Sequence, residues 1–396
     1  MKSLKLNNGS LINTIILPRS KSYGNRALIL ASILKEAFTL KNIPESTDVT
    51  FLVSALKSIG LVIHQRGSDL VVENSFPECE SSGATIDIGE GGTTARFLAC
   101  LLLRGSSPYT LVLGSRLKDR PWEEFINLVN QLGGKASLKA DKLFLQGPLK
   151  LPEALKVDCK RTTQFASGFQ LAWAFTDKKI EPINLNTSQS YWAMTQDMIL
   201  KFQLTSSFEI PMDWSSASYP LAFGALHQNI KFPGLEHDPF QADSKFLDLL
   251  KKFDSMEGDQ VHLLKNPHEV EFDVHDCLDL VPTLGYFLSH IPGVHKLHGI
   301  SNLIHKESDR LNDLIKLLEI FNRRAWSEGD TLLIEGSDAY LSTSIDLELT
   351  DDHRMVMVGA LFLIHHRGGT LSPVEAVNKS YPGYFGIFSP ESFTDS

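Results

Sequence analysis

The stretch TDVTFLVSALKSIGLVIHQRGSDLVVE, residues 47–73, decides the fold. Val49, Leu52, Val53 and Leu56 recur at helical spacing, so the first half is an amphipathic helix with one buried face. Thr47 and Asp48 open it and Gly60 closes it, which are helix start and stop signals. The second half is two β-rich pieces around Gly67-Ser68, which reads as a hairpin.

The pair of helix and hairpin returns along the chain. Helical patterns recur in RPWEEFINLVNQLGG from Arg120, YWAMTQDMILKF from Tyr191, ADSKFLDLLKKF from Ala242 and ESDRLNDLIKLLEIF from Glu307. Short β pieces lie between them: KASLKADKLFLQG, SSFEI, DQVHLL and DTLLIEG. The spacing is roughly 50 to 75 residues, as in a repeat architecture. A weaker sixth copy is expected around Met355 to His365. An ordinary α/β protein with similar helices is the plain alternative; the joint return of helix and hairpin favours a true repeat. The segment PMDWSSASYPLAFGAL, from Pro211, interrupts the pattern with small residues and a proline. It reads as a domain crossover with three copies on each side.

With 396 residues, two domains are the default. Hydrophobic residues at 42% and charged residues at 21% are a globular mixture and exclude bulk disorder. The formal net charge of −9 argues against nucleic acid held on a broad basic face. An anionic small substrate then needs a local cluster of Lys and Arg. Cys79, Cys100, Cys159 and Cys277 are scattered with no C-x-x-C pair, so they read as buried thiols of a reducing compartment, and neither metal nor redox motif is expected. The N-terminus lacks the apolar core of a signal peptide, and the apolar run of residues 98–103 ends at Arg104. A soluble, cytoplasmic protein without membrane or nucleic-acid partners is expected.

Four stretches are more polar than a plain core needs. In LPRSKSYGNRALILASIL, from Leu17, Lys21 and Arg26 stand beside a helix start where free N–H groups favour an anion. In DIGEGGTTARFLACLL, from Asp87, Gly89, Gly91 and Gly92 let backbone N–H groups approach a phosphate or carboxylate. Neither the P-loop nor the dinucleotide spacing is present. In HKESDRLNDLI, from His305, Lys306, Glu307, Asp309 and Arg310 crowd what reads as a first helical turn, with Lys306 and Arg310 on one face. In DDHRMVMVGALFLI, from Asp351, His353 is a proton carrier and Arg354 a carboxylate clamp by residue type. Singly, the first and third stretches read more readily as capped helix starts with solvated charges, the second equally well as a tight turn into a buried helix, and the fourth, against an N-cap, points moderately to a site.

Taken in order, the stretches resemble the 5-enolpyruvylshikimate-3-phosphate synthase family. The family's L-P-G-S-K-S-x-S-N-R is matched by residues 17–26, its G-N-A-G-T-x-x-R by 89–96, and its R-P by Arg120 and Pro121. S-S-Q-F corresponds to residues 162–165, S-x-x-Y-x-x-M-T to 188–195, and S-S-A-S-Y to 215–219. P-D-A is loosely matched at 278–280, N-x-x-x-K-E-x-D-R-L at 302–311, N-D-H-R-M-A-M at 351–357 and K-x-x-P-x-Y-F at 379–385. These ordered motifs span almost the whole chain.

The resemblance implies an α/β (α+β) fold of two domains, each of three βαβαββ repeats, in the enolpyruvyl transferase (inside-out α/β barrel) architecture. One domain is expected to hold residues 1–20 plus 214–396 and the other residues 21–213, with the active site in the cleft between them. The implied reaction joins phosphoenolpyruvate to the 5-hydroxyl of shikimate 3-phosphate and releases phosphate. Two polyanions in one site demand several cations, with no cofactor and no metal. A monomer acting on these two small molecules is expected.

Carried over by motif, shikimate 3-phosphate falls to Lys21, Ser22, Arg26, Thr162, Thr163, Gln164, Ser188, Tyr191, Asp279, Asn302 and Lys306. Phosphoenolpyruvate falls to Lys21, Gly92, Arg120, Gln164, Arg310, Arg354 and Lys379. Asp279 is the implied general base and Glu307 the proton donor, with His353 and Lys21 as competing or assisting groups.

The chain departs from the pattern in several places. Arg19 replaces a glycine, Glu90 an asparagine, and Thr162-Thr163 two serines. Gln189 stands where a lysine is frequent. A carboxylate at Glu90 near phosphoenolpyruvate repels it unless a cation pairs with it. Two other readings therefore stand beside the synthase: a non-catalytic or altered-specificity paralogue that still binds shikimate 3-phosphate, and an enolpyruvyl transferase acting on a UDP-amino sugar.

Overall fold

In a computed structural model the chain is described over residues 2–186, 188–338 and 340–393. It divides into two compact units, Met1–Pro18 with Met212–Ser396, and Arg19–Pro211. The chain crosses between them at Pro18–Arg19 and Pro211–Met212.

The repeat is fullest between Thr85 and Gln146. Strand Thr85–Asp87, helix Gly92–Leu102, strand Pro108–Val112, helix Glu123–Gln131 and strands Lys135–Lys139 and Lys142–Gln146 follow in order. The first two strands are parallel, with Thr85 opposite Thr110. A parallel pair needs a crossover, which the helix supplies. The second strand pairs antiparallel with the last, and the third lies outermost. Strands Glu271–Asp273, Gly293–His298, Arg324–Glu328 and Thr331–Gly336 repeat this order in the other unit.

The remaining copies borrow strands or lack them. SSFEI contributes strand Ser207–Glu209, which joins Phe38–Lys41 in parallel from the far end of its unit. The parallel pair Ala154–Asp158 and Lys179–Ile183 carries no hairpin among the described residues. The N-terminal strand Leu4–Leu6 completes a sheet with Gly369–Ser372 and Leu347–Glu348.

The structure holds two kinds of helix per repeat where the sequence reading found one. Helices Thr47–Ser58, Glu123–Gln131, Gln189–Leu204, Phe246–Lys252 and Arg310–Ile320 are the amphipathic set. A second set is buried on nearly every side: Lys21–Ala31, Gly92–Leu102 and Gln164–Ala172 in one unit, and Trp214–His227, Val281–Leu288 and His353–His365 in the other. Apolarity all round marks a helix enclosed by protein.

One expectation changes here. The stretch around Met355 is not a sixth amphipathic copy; it is one of the buried helices, and the amphipathic position after Gly369–Ser372 is taken by the 3-10 turn Val374–Lys379. The segment from Pro211 contains the passage between the units at Pro211–Met212 and then continues as the buried helix Trp214–His227, which tolerates Pro220 inside it.

In each unit the three buried helices run side by side in the same sense. Near their starts, Ser218 Oγ lies 2.8 Å from Thr283 Oγ1; near their ends, His227 Nε2 lies 2.8 Å from Tyr286 Oη. In the other unit Gln164 Nε2 donates to Thr93 Oγ1 at 2.9 Å where two helices begin. Further along the same pair, a Cβ on Gly168 would lie 2.8 Å from Cys100 Sγ, so only glycine allows that approach. Three helix N-termini thus gather at one end of each unit.

Candidate active site

Lys21, Gly92 and Gln164 are the first residues of the three buried helices of the unit Arg19–Pro211. Exposed N–H groups and the positive ends of three helix dipoles therefore surround them. Lys21 Nζ is held 3.1 Å from Asp48 Oδ2. The Arg120 guanidinium rests on Gly92, where any Cβ would collide with it. Gln164 accepts from Arg96, whose guanidinium lies between the rings of Trp122 and Phe165 at 5.5 and 5.1 Å. Thr162 Oγ1 accepts from the Gln164 N–H, and Thr163 is buried beside it.

Arg26 is buried, and its three nitrogens donate to Thr195 Oγ1, the Ser22 carbonyl and the Tyr191 carbonyl at 2.9 to 3.1 Å. Burial lowers its pKa to about 10, so it is still a cation at neutral pH. It ties the helix bearing Ser22 to the helix bearing Tyr191. Ser188 precedes that second helix in a left-handed conformation, with φ 58°.

Two departures from the family pattern acquire a structural account. Glu90 turns to the loop that leads to Arg120. Its carboxylate accepts from Ser115 Oγ at 3.1 Å, the Arg116 N–H at 3.3 Å and the Leu117 N–H at 3.1 Å. It therefore acts as a cap on that loop, which positions Arg120. Arg19 pairs with Glu209 at 3.3 Å and donates to the Ile210 carbonyl.

In the other unit seven of the expected residues form one network. Asp279, just before helix Val281–Leu288, accepts from Arg310 Nη1 at 2.7 Å and Arg354 Nη2 at 3.0 Å, with Lys306 Nζ at 3.3 Å. Glu307 accepts from His353 Nδ1 at 2.9 Å and pairs with Lys379 at 3.1 Å. Asp352 joins the two halves: it caps helix His353–His365 through the Arg354 N–H and accepts from Arg310 Nε at 2.7 Å. Asn302 lies on the 3-10 turn Ser301–His305 that delivers Lys306. The sequence placed Lys306 and Glu307 in a first helical turn. They precede the helix, because Asp309 caps it and it starts at Arg310.

Burial opposes charge on Asp279, but Arg354, Lys306 and Arg310 outweigh it and hold the carboxyl well below the usual carboxylate range. Burial likewise opposes ionisation of Glu307, and Lys379 and His353 reverse it, so its carboxyl is also held well below that range. A carboxylate only accepts, so His353 carries the proton on Nδ1 between them.

Sequence reading missed two acidic partners. Asp48 is the counter-ion of Lys21, and Asp243 is buried beside this network with Ser215 donating to it. Burial, then the neighbouring Asp279 charge, raises the Asp243 pKa to about 7. The signal available was small: an acidic residue at the start of an amphipathic helix, which is ordinarily a solvated cap.

The Asp243 shift has a stability consequence. The folded chain keeps this proton up to about pH 7, while an unfolded aspartate loses it near pH ~3.9. Between those values the folded state binds more protons, so this group's contribution falls as pH rises. Asp243→Asn carries no such proton. Its stability relative to the parent chain should climb between pH 4 and 7 and then level off, read from urea midpoints across that range. A pH-independent difference would remove the shift.

Buried helices with aligned N-termini, carrying cations into two-layer repeats, define an enolpyruvyl transferase fold. The structure of EPSP synthase from Acinetobacter baumannii superposes with a TM-score of 0.77 at 17% identity, covering 97% of this chain and 96% of that one. The enolpyruvyl transferase NikO from Streptomyces tendae gives 0.74 at 15%, covering 98% and 96%. The chain belongs to the EPSP synthase (3-phosphoshikimate 1-carboxyvinyltransferase) family, a family of transferases, which it matches over residues 7–205 and 201–388. It is 27% identical to the 3-phosphoshikimate 1-carboxyvinyltransferase of Clostridium acetobutylicum, over 97% of this chain and 96% of that protein. It is 28% identical to that of Shewanella loihica, over 98% and 99%. Among the described residues no helix is long and apolar enough to cross a membrane.

Proposed function

We propose that this chain transfers the enolpyruvyl group of phosphoenolpyruvate to the 5-hydroxyl of shikimate 3-phosphate and releases phosphate, in the pathway to chorismate and aromatic amino acids. The observation that carries this reading is Asp279 held by Arg310, Arg354 and Lys306 at the start of a buried helix. Cations gathered at one point attract anionic substrate groups and stabilise charge that develops there.

Asp279 serves two roles in turn. Before substrate arrives it is the counter-ion that keeps these cations from repelling one another. The anionic groups of phosphoenolpyruvate then compete for Arg310 and Arg354. As those cations turn to the substrate, Asp279 loses what depresses its pKa and becomes a stronger base. It takes the hydroxyl proton while the hydroxyl oxygen bonds to the substituted enol carbon. The methylene carbon gains a proton from the set Glu307, His353 and Lys379, in which His353 bears the proton on Nδ1. The tetrahedral intermediate then loses phosphate and one methyl proton, restoring the carbon–carbon double bond. In the unit Arg19–Pro211, Lys21, Gly92, Gln164 and Arg120 gather N–H groups and positive charge at helix N-termini, a chemistry that suits anions.

The paralogue reading rested on Arg19, which pairs with Glu209, and on a repelling Glu90. That carboxylate caps the 115–117 loop, which speaks for the catalytic reading. The test is phosphate release from the purified chain with both substrates, and with each alone. Release that needs both is the expected result. No release, with shikimate 3-phosphate still bound by calorimetry, would return the chain to the non-catalytic class.

A further inference from the structure

The helices whose starts carry the cations of the unit Met1–Pro18 and Met212–Ser396 end on histidines. His227 is the last residue of Trp214–His227, His365 the last of His353–His365, and His290 stands two residues past Val281–Leu288. Twelve residues separate His353 from His365, about 18 Å of helix at ~1.5 Å per residue. This cluster is therefore distinct from the network around Asp279.

One nitrogen from each of His227, His290 and His365 lies within 4.8 Å of the other two. The rings of His227 and His365 stack at 4.0 Å, and His290 stands nearly perpendicular to both. Tyr286 orients two of them. Its carbonyl lies 2.7 Å from His290 Nδ1, and a carbonyl only accepts, so the proton sits on Nδ1. His290 Nε2 is then a bare lone pair, buried and without a hydrogen-bond partner among the described residues. The Tyr286 hydroxyl lies 2.8 Å from His227 Nε2, so Nδ1 is the nitrogen of that ring not engaged by this hydroxyl. An imidazole whose second nitrogen is fixed by a carbonyl or hydroxyl is how proteins present metal ligands.

We propose that His227, His290 and His365 form a site for a divalent transition-metal ion of the zinc class, with a fourth position left for solvent. Three imidazoles and one open position is an established zinc coordination set. Nitrogens about 2.1 Å from a tetrahedral zinc lie about 3.4 Å apart; a metal lies in the plane of each imidazole it binds, so closure requires His227 or His365 to turn out of their stacked arrangement. All three residues are half-buried, with His290 Nε2 itself buried. Burial, above all, holds the three imidazoles below their ordinary pKa, His365 at about 4, so they are neutral ligands at physiological pH.

The surrounding charges act in both directions. The negative ends of the helix dipoles favour a cation here. Arg323, which donates to the Ser289 carbonyl at 2.9 Å, opposes it. His366 is close but excluded: its Nδ1 accepts from the Leu341 N–H, which places its proton on Nε2. The other grouping of this kind, Glu307, Asp352 and His353, is already filled by Arg310 and Lys379. Sequence inspection found no metal site because these ligands come from three distant helix ends.

The full chain, free of any histidine tag, is dialysed against Zn2+ or Co2+ and then against buffer. Elemental analysis should find about one ion per chain, with the visible absorption of four-coordinate cobalt. His365→Ala should weaken Co2+ binding by roughly a hundredfold or more, at or beyond the upper end of what losing an outer-shell partner costs. His366→Ala and His353→Ala should leave it unchanged. Thermal midpoints in metal-free buffer establish that each variant is folded, and Zn2+ should raise the midpoint of the parent chain but not of His365→Ala. If the parent retains no metal, if His365→Ala retains it equally, or if only His353→Ala loses it, the proposal fails.

Discussion

Asp279→Asn should lower phosphate release at saturating substrates by roughly a hundredfold or more, the range lost with a general base. It should at the same time leave phosphoenolpyruvate affinity unchanged or improved. The second half follows from the geometry. In the free protein Asp279 occupies Arg310, Arg354 and Lys306. An uncharged amide competes less for those cations, so the anionic substrate meets less resistance. Loss of turnover with no loss of affinity is not what general disruption of the site produces, since that raises KM together with lowering kcat. The pH profile adds a check. With its carboxyl held well below the usual range, Asp279 is ionised throughout the neutral region. The acid limb of the parent kcat/KM profile therefore belongs to another group. Steady-state kinetics and calorimetry on both proteins decide it, and a near-normal rate would remove Asp279 from the base role.

The amphipathic helices and most hairpins were legible because both are local periodicities. Val49, Leu52 and Leu56 mark one buried face, and Gly67-Ser68 closes Ile63–Arg66 onto Asp69–Val72 without help from elsewhere. The buried helices were harder. MVMVGALFLI has no polar face to give a period, so its class shows only once its neighbours are in place. Strands lent across the chain, such as Leu4–Leu6 and Ser207–Glu209, carry no local sign of their partners. At the site, the cations were readable as residue types in matching motifs, but their counter-ions were not. Asp48, Asp243 and Asp352 act through contacts tens of residues away, and a sequence shows each only as an acidic helix start. Glu90 makes the same point in reverse: its charge was visible, but its direction, toward the 115–117 loop, was not.

Arg310→Ala should be the most destabilising single change in the unit that holds it. The guanidinium is 2% exposed and joins Asp279 through Nη1 and Asp352 through Nε, both at 2.7 Å. Asp352 is fully buried and caps helix His353–His365, so it has no route to water when its partner leaves. Removing one member of a buried pair costs about 3–5 kcal/mol, because a desolvated charge is left uncompensated. The deficit should depend on pH. In the parent chain, burial opposes ionisation of Asp352 and Arg310 reverses it, so its folded pKa lies below the unfolded value. That contribution is present above the unfolded pKa and lost as pH falls through the folded one. In the variant the buried carboxylates protonate at higher pH, which relieves them. The gap between parent and variant should therefore be widest near neutrality and narrow toward pH ~4. Arg310→Ala with Asp352→Asn should recover part of the loss, since the second change removes the stranded charge, and the non-additivity measures the pair. Urea titrations of the four proteins at two pH values supply every term. A deficit that is small, additive and flat with pH would mean that solvent reaches Asp352 and that Arg310 is held for the substrate alone.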